Sequence, residues 1–146
     1  MLGGVGTDVV AVARISALIQ ARGTLFLQRW FTAREIGYCR GKAVPPRHFA
    51  ARFAAKEAVV KALPVAWGGP LPWRSIEIVN GPRGAPSVSL SGALLEAAAG
   101  AGVGEIRVSL SHCDEYATAV ALVAVTDDQA AAAERGRLAG GAAREW

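Results

Sequence analysis

The chain has 146 residues and lacks several features that would assign it quickly to a functional class. No apolar run approaches the roughly 20 residues of a membrane-spanning helix, and the first residues lack the basic start of a signal peptide. The two cysteines, Cys39 and Cys113, form neither a metal-ligand spacing nor a disulfide framework. We therefore expect a protein of the reducing cytoplasm with no membrane partner.

Familiar motifs for nucleotide binding and nucleophilic catalysis are also missing. There is no GxxxxGKS/T phosphate loop, no GxGxxG after a strand and no GxSxG nucleophile elbow. Aromatic residues make up 7% of the chain and are not interleaved with basic residues, so no stacking platform for nucleic acid is apparent. These absences exclude a P-loop or Rossmann site and predict no nucleic-acid partner.

The composition that is present is that of a packed globular domain with an uneven charge distribution. Hydrophobic residues make up 52% and charged residues 19%. Residues 1–63 carry ten Lys or Arg and three acids, whereas residues 64–126 carry three Arg and five acids. Such a basic half predicts an anionic partner, although an ordinary solvated face would give the same count. We predict one domain over residues 1–126 and an Ala-rich tail over 127–146, loosely helical or disordered.

The most regular stretch, residues 50–63, predicts a long helix because it is Ala-rich and free of Gly, Pro and Asn. Phe49, Phe53 and Val60 form an apolar ridge, and Glu57 lies about 60° from it. The helix also carries Arg52, Lys56, Glu57 and Lys61. A buried charge is costly unless it is paired or binds an ion, so these charges point to a functional surface.

Other elements follow from alternation and turn signals. We predict a strand over residues 4–12, a short helix over 14–22 and a helix opened by a Thr32–Glu35 capping box. A strand over 73–79 and its return form a hairpin. A helix over 92–100 and an antiparallel pair, 105–112 with 116–125, complete the domain, and the last strand reads as central.

Three ionisable residues lie on otherwise apolar stripes: Asp8, Glu57 and His112. Each alone has an ordinary explanation, namely a capping Asp, a helix ion pair with Lys61 or a rim histidine. Two carboxylates from different elements suit Mg²⁺, which keeps several waters and takes phosphate oxygens from its ligand. Lys56 and Lys61 would then neutralise those phosphates.

Four segments, in order, carry a resemblance to a known family. They are Val5-Gly6-Thr7-Asp8-Val9-Val10 with Arg14-Ile15; Arg52-Phe53-Ala54-Ala55-Lys56-Glu57-Ala58 with Lys61-Ala62; Ile76-Glu77-Ile78 leading through Asn80 to Gly84 and Pro86; and Val108-Ser109-Leu110-Ser111-His112 with Glu115-Tyr116-Ala117. Over roughly residues 4–125 the chain resembles the holo-acyl-carrier-protein synthases, the short type of 4′-phosphopantetheinyl transferase.

The resemblance implies a fold and a reaction. The expected fold is α+β, with a small antiparallel sheet packed on a long central helix and a homotrimer whose sites lie at subunit interfaces. The expected reaction moves the 4′-phosphopantetheine arm of coenzyme A to a serine hydroxyl of an apo acyl or peptidyl carrier protein. It requires Mg²⁺ and releases adenosine 3′,5′-bisphosphate.

The resemblance also implies roles for individual residues. The catalytic set would be Asp8, Glu57, Lys61 and His112, with Asp8 and Glu57 holding Mg²⁺. Coenzyme A would contact Arg52, Lys61, Gly84, Pro86 and His112, and Lys56 joins this set from its position on the helix. The carrier protein would dock on Arg14, Leu18, Arg22 and Phe26.

Some points stay open at the level of sequence. The serine needs a base, and either Glu57 or a metal-bound water could serve; we favour the water and place His112 as a phosphate or ribose contact. Cys113 stands where some relatives have an acid, with Asp114 as the nearest substitute, and Pro64 replaces a Gly-rich loop. The alternatives are a degenerate family member, or a basic module, that binds coenzyme A or an acidic carrier without catalysis.

Overall fold

The computed structural model describes residues 1–128, which form an α+β domain. The helices are α1 (Val12–Arg22), α2 (Thr24–Trp30), α3 (Ala33–Arg40), α4 (Pro45–Ala62) and α5 (Gly92–Gly100). The strands are β1 (Leu2–Ala11), β2 (Ile76–Asn80), β3 (Pro86–Leu90), β4 (Val103–His112) and β5 (Tyr116–Val125). Residues 129–146 of the expected tail lie outside the described residues, so the domain boundary at residue 126 stays a prediction.

The larger sheet is antiparallel, with the order β1–β5–β4, and α4 packs across one of its faces. The central position predicted for the last strand is confirmed. Along β5 the side chains alternate between a buried and an exposed row. The buried row begins with Ala117, Ala119 and Ala121, whose small side chains allow the helix to approach the sheet closely.

Two glycines of β1 make the closest contact with α4. A Cβ atom placed on Gly4 would lie 1.9 Å from the carbonyl oxygen of Ala62, and one placed on Gly6 would lie 1.9 Å from that of Ala58. No side chain fits at either position, so the strand backbone rests directly against the helix. This contact determines how close Asp8, two residues after Gly6, comes to α4.

The long helix α4 begins with Pro45 and Pro46 in its first turn, where a missing N–H costs nothing. It ends at Ala62, because Leu63 is extended and Pro64 cannot continue the helix. Of its 18 residues, 11 are buried, so the helix lies between the sheet on one side and α1 and α3 on the other. The predicted central helix is confirmed.

The remaining elements hold α3 and the hairpin β2–β3 against this core. The predicted capping box is present: Thr32 Oγ1 accepts from the Glu35 amide at 3.2 Å, and Glu35 Oε1 accepts from the Thr32 amide at 3.0 Å. The hairpin is also confirmed. Residues 73–75 differ from expectation, since they form a 3₁₀ turn before β2. The turn directs the carbonyl of Trp73 toward the Lys56 ammonium, 3.1 Å away.

Among residues 1–128, no helix combines the length and apolarity needed to cross a bilayer.

Candidate active site

Asp8 lies on β1 where the strand faces α4, on the same side as the buried residues Gly6 and Val10. Its side chain is 17% exposed, as is that of Lys61. The Lys61 ammonium donates to Asp8 Oδ1 at 3.0 Å and to the carbonyl oxygen of Thr7 at 3.0 Å. Lys61 is therefore fixed over the strand by two contacts, and its ion-pair partner is Asp8 rather than Glu57, four residues earlier on its own helix.

Glu57 projects from α4 toward the same region and is half-buried. Burial raises the pKa of its carboxyl group, and the negative charge of Asp8 raises it further, whereas Lys61 and Arg14 lower it. The two carboxylates are thus close enough to repel each other. We refer to Asp8, Arg14, Glu57 and Lys61 as the carboxylate cluster.

The ligands that this cluster offers fit magnesium better than a softer metal. Within the part of the chain that the structure describes, no three His, Cys, Asp or Glu side chains come together as a metal site. A structural zinc site needs more nitrogen and sulfur ligands than this. Mg²⁺ is commonly bound through one or two carboxylates and completes its shell with water and substrate phosphates. A divalent cation held by Asp8 and Glu57 would also offset their mutual repulsion.

A second group of charged residues lies toward the beginning of α4, at the end of β4. We refer to Lys42, Arg47, His48, Arg52 and His112 as the basic cluster. The imidazoles of His48 and His112 meet edge to face with their centroids 4.9 Å apart. Arg52 and Lys42 both lie over the ring of Tyr38, at 4.0 Å and 4.4 Å from its centroid. Within residues 1–128, the acid that forms an ion pair with this cluster is Asp114, through Arg47.

Arg52 connects the basic cluster to the turn between β2 and β3. Its side chain is buried, with 3% exposed, and it donates to Asn80 Oδ1. Asn80 Nδ2 in turn donates to the carbonyl oxygen of Gly84 at 3.0 Å. Gly84 has φ +80°, which favours glycine. Arg52 Nε is buried without a hydrogen-bond partner among the described residues, so this guanidinium retains a donor.

A groove of about 350 Å³ lies between α1, α2 and α4. It is lined by Arg14, Leu18, Arg22, Leu25, Phe26, Arg29, Trp30 and Phe53. All four residues expected to dock the carrier protein therefore lie on one surface. Arg14 belongs to both the groove and the carboxylate cluster, because its charge also acts on Glu57. The groove and the carboxylate cluster therefore share Arg14.

Comparison with known proteins identifies the family. The model of the 4′-phosphopantetheinyl transferase superfamily matches residues 4–121. A holo-acyl-carrier-protein synthase of Protochlamydia amoebophila is 43% identical over 119 residues, covering 82% of this chain and 95% of the relative. One from Moorella thermoacetica is 46% identical over 118 residues, covering 81% and 91%. The chain belongs to the holo-acyl-carrier-protein synthase family.

Solved structures of other holo-acyl-carrier-protein synthases have the same fold. The enzyme of Neisseria meningitidis superimposes with a TM-score of 0.77 at 30% identity, covering 85% of this chain and 99% of that one. The enzyme of Helicobacter pylori, solved in complex with coenzyme A, gives a TM-score of 0.71 at 32% identity, covering 82% and 99%. The expected sheet packed on a long helix is confirmed by these likenesses.

The structure divides the expected site residues of this synthase between two places. Asp8 and Lys61 form an ion pair in the carboxylate cluster, and Glu57 lies near enough for both charges to affect its pKa. Arg52 and His112 belong to the basic cluster, and Gly84 is joined to it through Asn80. His48 and Glu57 are nine residues apart on α4, which corresponds to about 13.5 Å along the axis. The roles expected for these residues, and for Pro86 beside Gly84, stay predictions.

The structure contradicts the expectation that Lys56 contacts phosphates. Its side chain is 0% exposed, as is that of Glu35, and its ammonium donates to Glu35 Oε1 at 2.7 Å. It also donates to the carbonyl oxygen of Trp30 at 2.6 Å and to that of Trp73. One residue before Glu57, Lys56 points about 100° away around the helix and into the core. Its role is to hold α2, α3 and α4 together.

Sequence reasoning missed several residues of the site. Arg29 and Trp30 line the groove but belong to α2, so the periodicity of α1 gave no indication of them. Lys42, Arg47 and His48 join the basic cluster from the start of α4 and the loop before it. The only available signal was the excess of basic residues in residues 1–63, which indicates an anionic partner without saying which side chains converge.

Proposed function

We infer that this chain transfers the 4′-phosphopantetheine arm of coenzyme A to a serine hydroxyl of an apo acyl carrier protein. A phosphorus–oxygen bond of the coenzyme A pyrophosphate breaks, and adenosine 3′,5′-bisphosphate leaves. The serine oxygen bonds to the phosphorus of the arm and gives up its proton to a base, either Glu57 or a water molecule. The observation that carries this conclusion is the carboxylate cluster, in which Asp8 is paired with Lys61 and the carboxyl group of Glu57 is affected by the charges of Asp8, Lys61 and Arg14. Phosphoryl transfer depends mainly on positioning and charge stabilisation, which such a cluster supplies.

Asp8 and Glu57 are the residues that would hold Mg²⁺. When bound, the ion supplies positive charge that stabilises the pyrophosphate oxygens as negative charge develops on them. Lys61 adds a second positive charge at a fixed position, because its ammonium is tied to Asp8 and to the Thr7 carbonyl. Arg14 extends this positive charge from the cluster toward the groove.

We propose that the nucleotide half of coenzyme A binds the basic cluster and the adjoining Gly84–Pro86 turn. Support comes from the nearly uncompensated positive charge of the cluster and from the free Nε donor of the buried Arg52. A guanidinium with an unused donor suits a phosphate oxygen. His112 would contact the phosphate or ribose, and Lys42 and Arg47 would add attraction at longer range.

The groove between α1 and α2 is the proposed docking surface for the carrier protein. Three arginines, Arg14, Arg22 and Arg29, border an apolar floor that includes Leu18 and Phe26. Phe26 is only 6% exposed, so it forms part of this floor and does not project toward a partner. An acidic partner helix with an apolar face would complement this surface. A carrier that docks here would present its serine beside Arg14, next to the carboxylates.

We further propose a homotrimer in the cytoplasm, with sites completed at subunit interfaces. The sheet face away from α4 exposes apolar side chains on two adjacent strands, namely Val5, Val9, Tyr116, Val120 and Leu122. A contiguous apolar face of this kind is typical of a protein interface. Both cysteines are free, which agrees with a reducing compartment. Sedimentation equilibrium of the wild type and of Val120→Glu tests the assembly: we expect a trimer and a smaller species, respectively.

The reaction itself is tested by incubating the protein with coenzyme A, Mg²⁺ and a panel of apo acyl and peptidyl carrier proteins. Mass spectrometry should show one carrier gaining one phosphopantetheine arm, and chelation of Mg²⁺ should prevent the gain. The panel also reveals which pathway is served. Coenzyme A binding without any mass gain on any carrier would contradict the assignment and favour a non-catalytic relative.

A further inference from the structure

His48 and His112 are the two histidines of the chain, and the fold brings them together from separate elements. His48 lies in the first turn of α4, and His112 is the last residue of β4. Their imidazoles meet at an interplanar angle of 67° with centroids 4.9 Å apart. His112 is expected to contact the phosphate or ribose of coenzyme A, whereas His48 has been given no role. The contact therefore joins an unassigned histidine to a proposed ligand-binding one.

The groups around the pair are mostly cationic. The Tyr38 ring of α3 meets His48 edge to face at 6.3 Å, Lys42 approaches from the loop before α4, and Arg47 and Arg52 belong to α4 itself. From the β4–β5 turn comes one acid, Asp114, which pairs with Arg47. Burial lowers the pKa of His48, and the charges of His112, Arg52, Lys42 and Arg47 lower it further.

This arrangement makes a second positive charge on the pair unfavourable in the free protein. Edge-to-face packing of two rings is favourable when one presents its edge to the π-face of the other, but two imidazolium ions at this distance repel each other. A phosphate group bound in the cluster would reverse the balance, because it brings up to two negative charges. The bound ligand then stabilises the second positive charge on the histidine pair, which the basic cluster makes unfavourable in the free protein.

We propose that His48 is a positioning residue for His112, and that the pair takes up a proton when a phosphate group of coenzyme A binds the basic cluster. The ring of His48 holds the imidazole of His112 at the end of β4, where an exposed strand end would otherwise leave it free to rotate. The ligand part of this proposal rests on the proposed function; the coupling between the two rings does not.

The sign of the pH dependence follows from linkage. In the free protein the pKa of His48 lies below its ordinary value, and the bound anion raises this pKa in the complex. The gain in coenzyme A affinity is complete at pH values below the pKa of His48 in the free protein. It is lost as pH rises through the pKa of His48 in the complex. Coenzyme A itself titrates in the same region, but the titration of the free ligand is common to every variant and cancels when variants are compared.

The first experiment uses the free protein and two histidine signals. Carbon-detected or proton NMR of the imidazoles, assigned with His48→Phe and His112→Phe, gives the titration of each ring. We expect the pKa of His48 to lie below its ordinary value and to rise in His112→Phe. Arg74→Gln, which removes an exposed cation outside the cluster, should leave the pKa of His48 unchanged. An identical His48 titration in wild type and His112→Phe would overturn the coupling.

The second experiment measures binding of coenzyme A by calorimetry in two buffers of different ionisation enthalpy, from about pH 6 to pH 8. On binding coenzyme A near the middle of this range, the wild type should take up about half a proton more than His48→Phe. From about pH 6 to pH 8, the wild type should lose about five- to tenfold more affinity for coenzyme A than His48→Phe loses. His48→Phe should raise the KM for coenzyme A at low pH with little change in kcat.

Parallel pH profiles for the wild type and His48→Phe would overturn the role of the pair in binding. Absence of coenzyme A binding by the wild type at every pH would instead contradict the proposed function, and the ligand part of the inference with it. The NMR result would still decide the coupling between the rings.

Discussion

The carboxylate cluster and the basic cluster both lie where α4 meets the larger sheet, yet their charges are arranged differently. The carboxylate cluster combines two acids with two bases, Lys61 and Arg14, and its acids repel each other. The basic cluster has five basic side chains and one neighbouring acid, which is already paired with Arg47. A balanced cluster with crowded carboxylates suits a cation and the changing charges of a reaction, whereas an unbalanced one suits the binding of an anion. On the roles proposed above, the helix would separate the chemistry from the binding of coenzyme A.

The largest effect should come from removing a carboxylate. Asp8→Ala and Glu57→Gln should each lower kcat for carrier loading by at least about 10³-fold, equivalent to roughly 4 kcal/mol of transition-state stabilisation. Initial rates under saturating Mg²⁺ and coenzyme A measure this. Glu96→Ala is the matched control, because Glu96 is an exposed acid on α5 outside both clusters. If a protein carrying both Asp8→Ala and Glu57→Gln loaded the carrier at the wild-type rate, the metal assignment would be refuted.

A methyl group on Gly6 should disturb the carboxylate cluster selectively. The new Cβ would lie 1.9 Å from the Ala58 carbonyl oxygen, so β1 must move away from α4 and carry Asp8 with it. We expect kcat to fall by about 10- to 100-fold, since displacements near 1 Å have effects of this size. The free energy of unfolding should fall by about 1–3 kcal/mol, and coenzyme A binding without Mg²⁺ should be retained.

Gly104→Ala provides the control for that substitution. The nearest atom to a Cβ at Gly104 is the Ala124 carbonyl oxygen, 3.9 Å away, which is ordinary van der Waals contact. Its kcat should match the wild type. Equal losses in Gly6→Ala and Gly104→Ala would show that the effect arises from loss of glycine in the sheet and not from displacement of Asp8.

Removing the charge of Arg52 should affect binding more than turnover. Arg52→Gln would lose the charge-assisted hydrogen bonds proposed to the nucleotide, each worth roughly 1.5–3 kcal/mol. The KM for coenzyme A should therefore rise about 10- to 100-fold. The kcat at saturating coenzyme A should fall by less than about threefold. Arg74→Gln should change neither constant. A loss confined to kcat would place Arg52 in the chemistry and break the separation of the two clusters.

Lys56 should have the smallest effect on the reaction, although its effect on stability is large. Lys56→Met leaves Glu35 as a buried charge without its partner, which should lower the free energy of unfolding by about 3–5 kcal/mol. Adding Glu35→Gln should restore more than half of this loss. The KM for coenzyme A of the folded protein should stay within about twofold of the wild type.

Urea unfolding at a fixed protein concentration, followed by circular dichroism, measures the stability of the two Lys56 variants. A Lys56→Met protein of normal stability with a raised KM for coenzyme A would restore the phosphate role first expected from sequence.

The sequence predicts those parts of the fold that local patterns determine. The Thr32–Glu35 capping box, the β2–β3 hairpin and the central helix all form as predicted. Each depends on residues within a few positions of one another. The 3₁₀ turn at residues 73–75 was not predicted. It is involved in a longer-range contact, because its Trp73 carbonyl is the third oxygen partner of the buried Lys56 ammonium.

The same limit applies to the site. Asp8 and Glu57 could be proposed as metal ligands because a charged residue within an apolar pattern can be recognised from the sequence alone. The partner of Lys56 could not be, since Glu35 lies 21 residues away and local spacing suggested a solvent-facing lysine. Nor could the contact of Gly6 with α4 or the meeting of His48 with His112, because both depend on how the helix packs across the sheet.

The separation of chemistry from binding is tested most directly by measuring coenzyme A affinity without Mg²⁺ in Asp8→Asn and Arg52→Gln. With the pyrophosphate bound as proposed, the Asp8 carboxylate would repel it when no cation is present. Asp8→Asn should therefore bind coenzyme A at least as tightly as the wild type while failing to load a carrier. Arg52→Gln should bind about 10- to 100-fold more weakly and still load the carrier when coenzyme A is saturating. Loss of affinity in Asp8→Asn, with wild-type affinity in Arg52→Gln, would contradict the account.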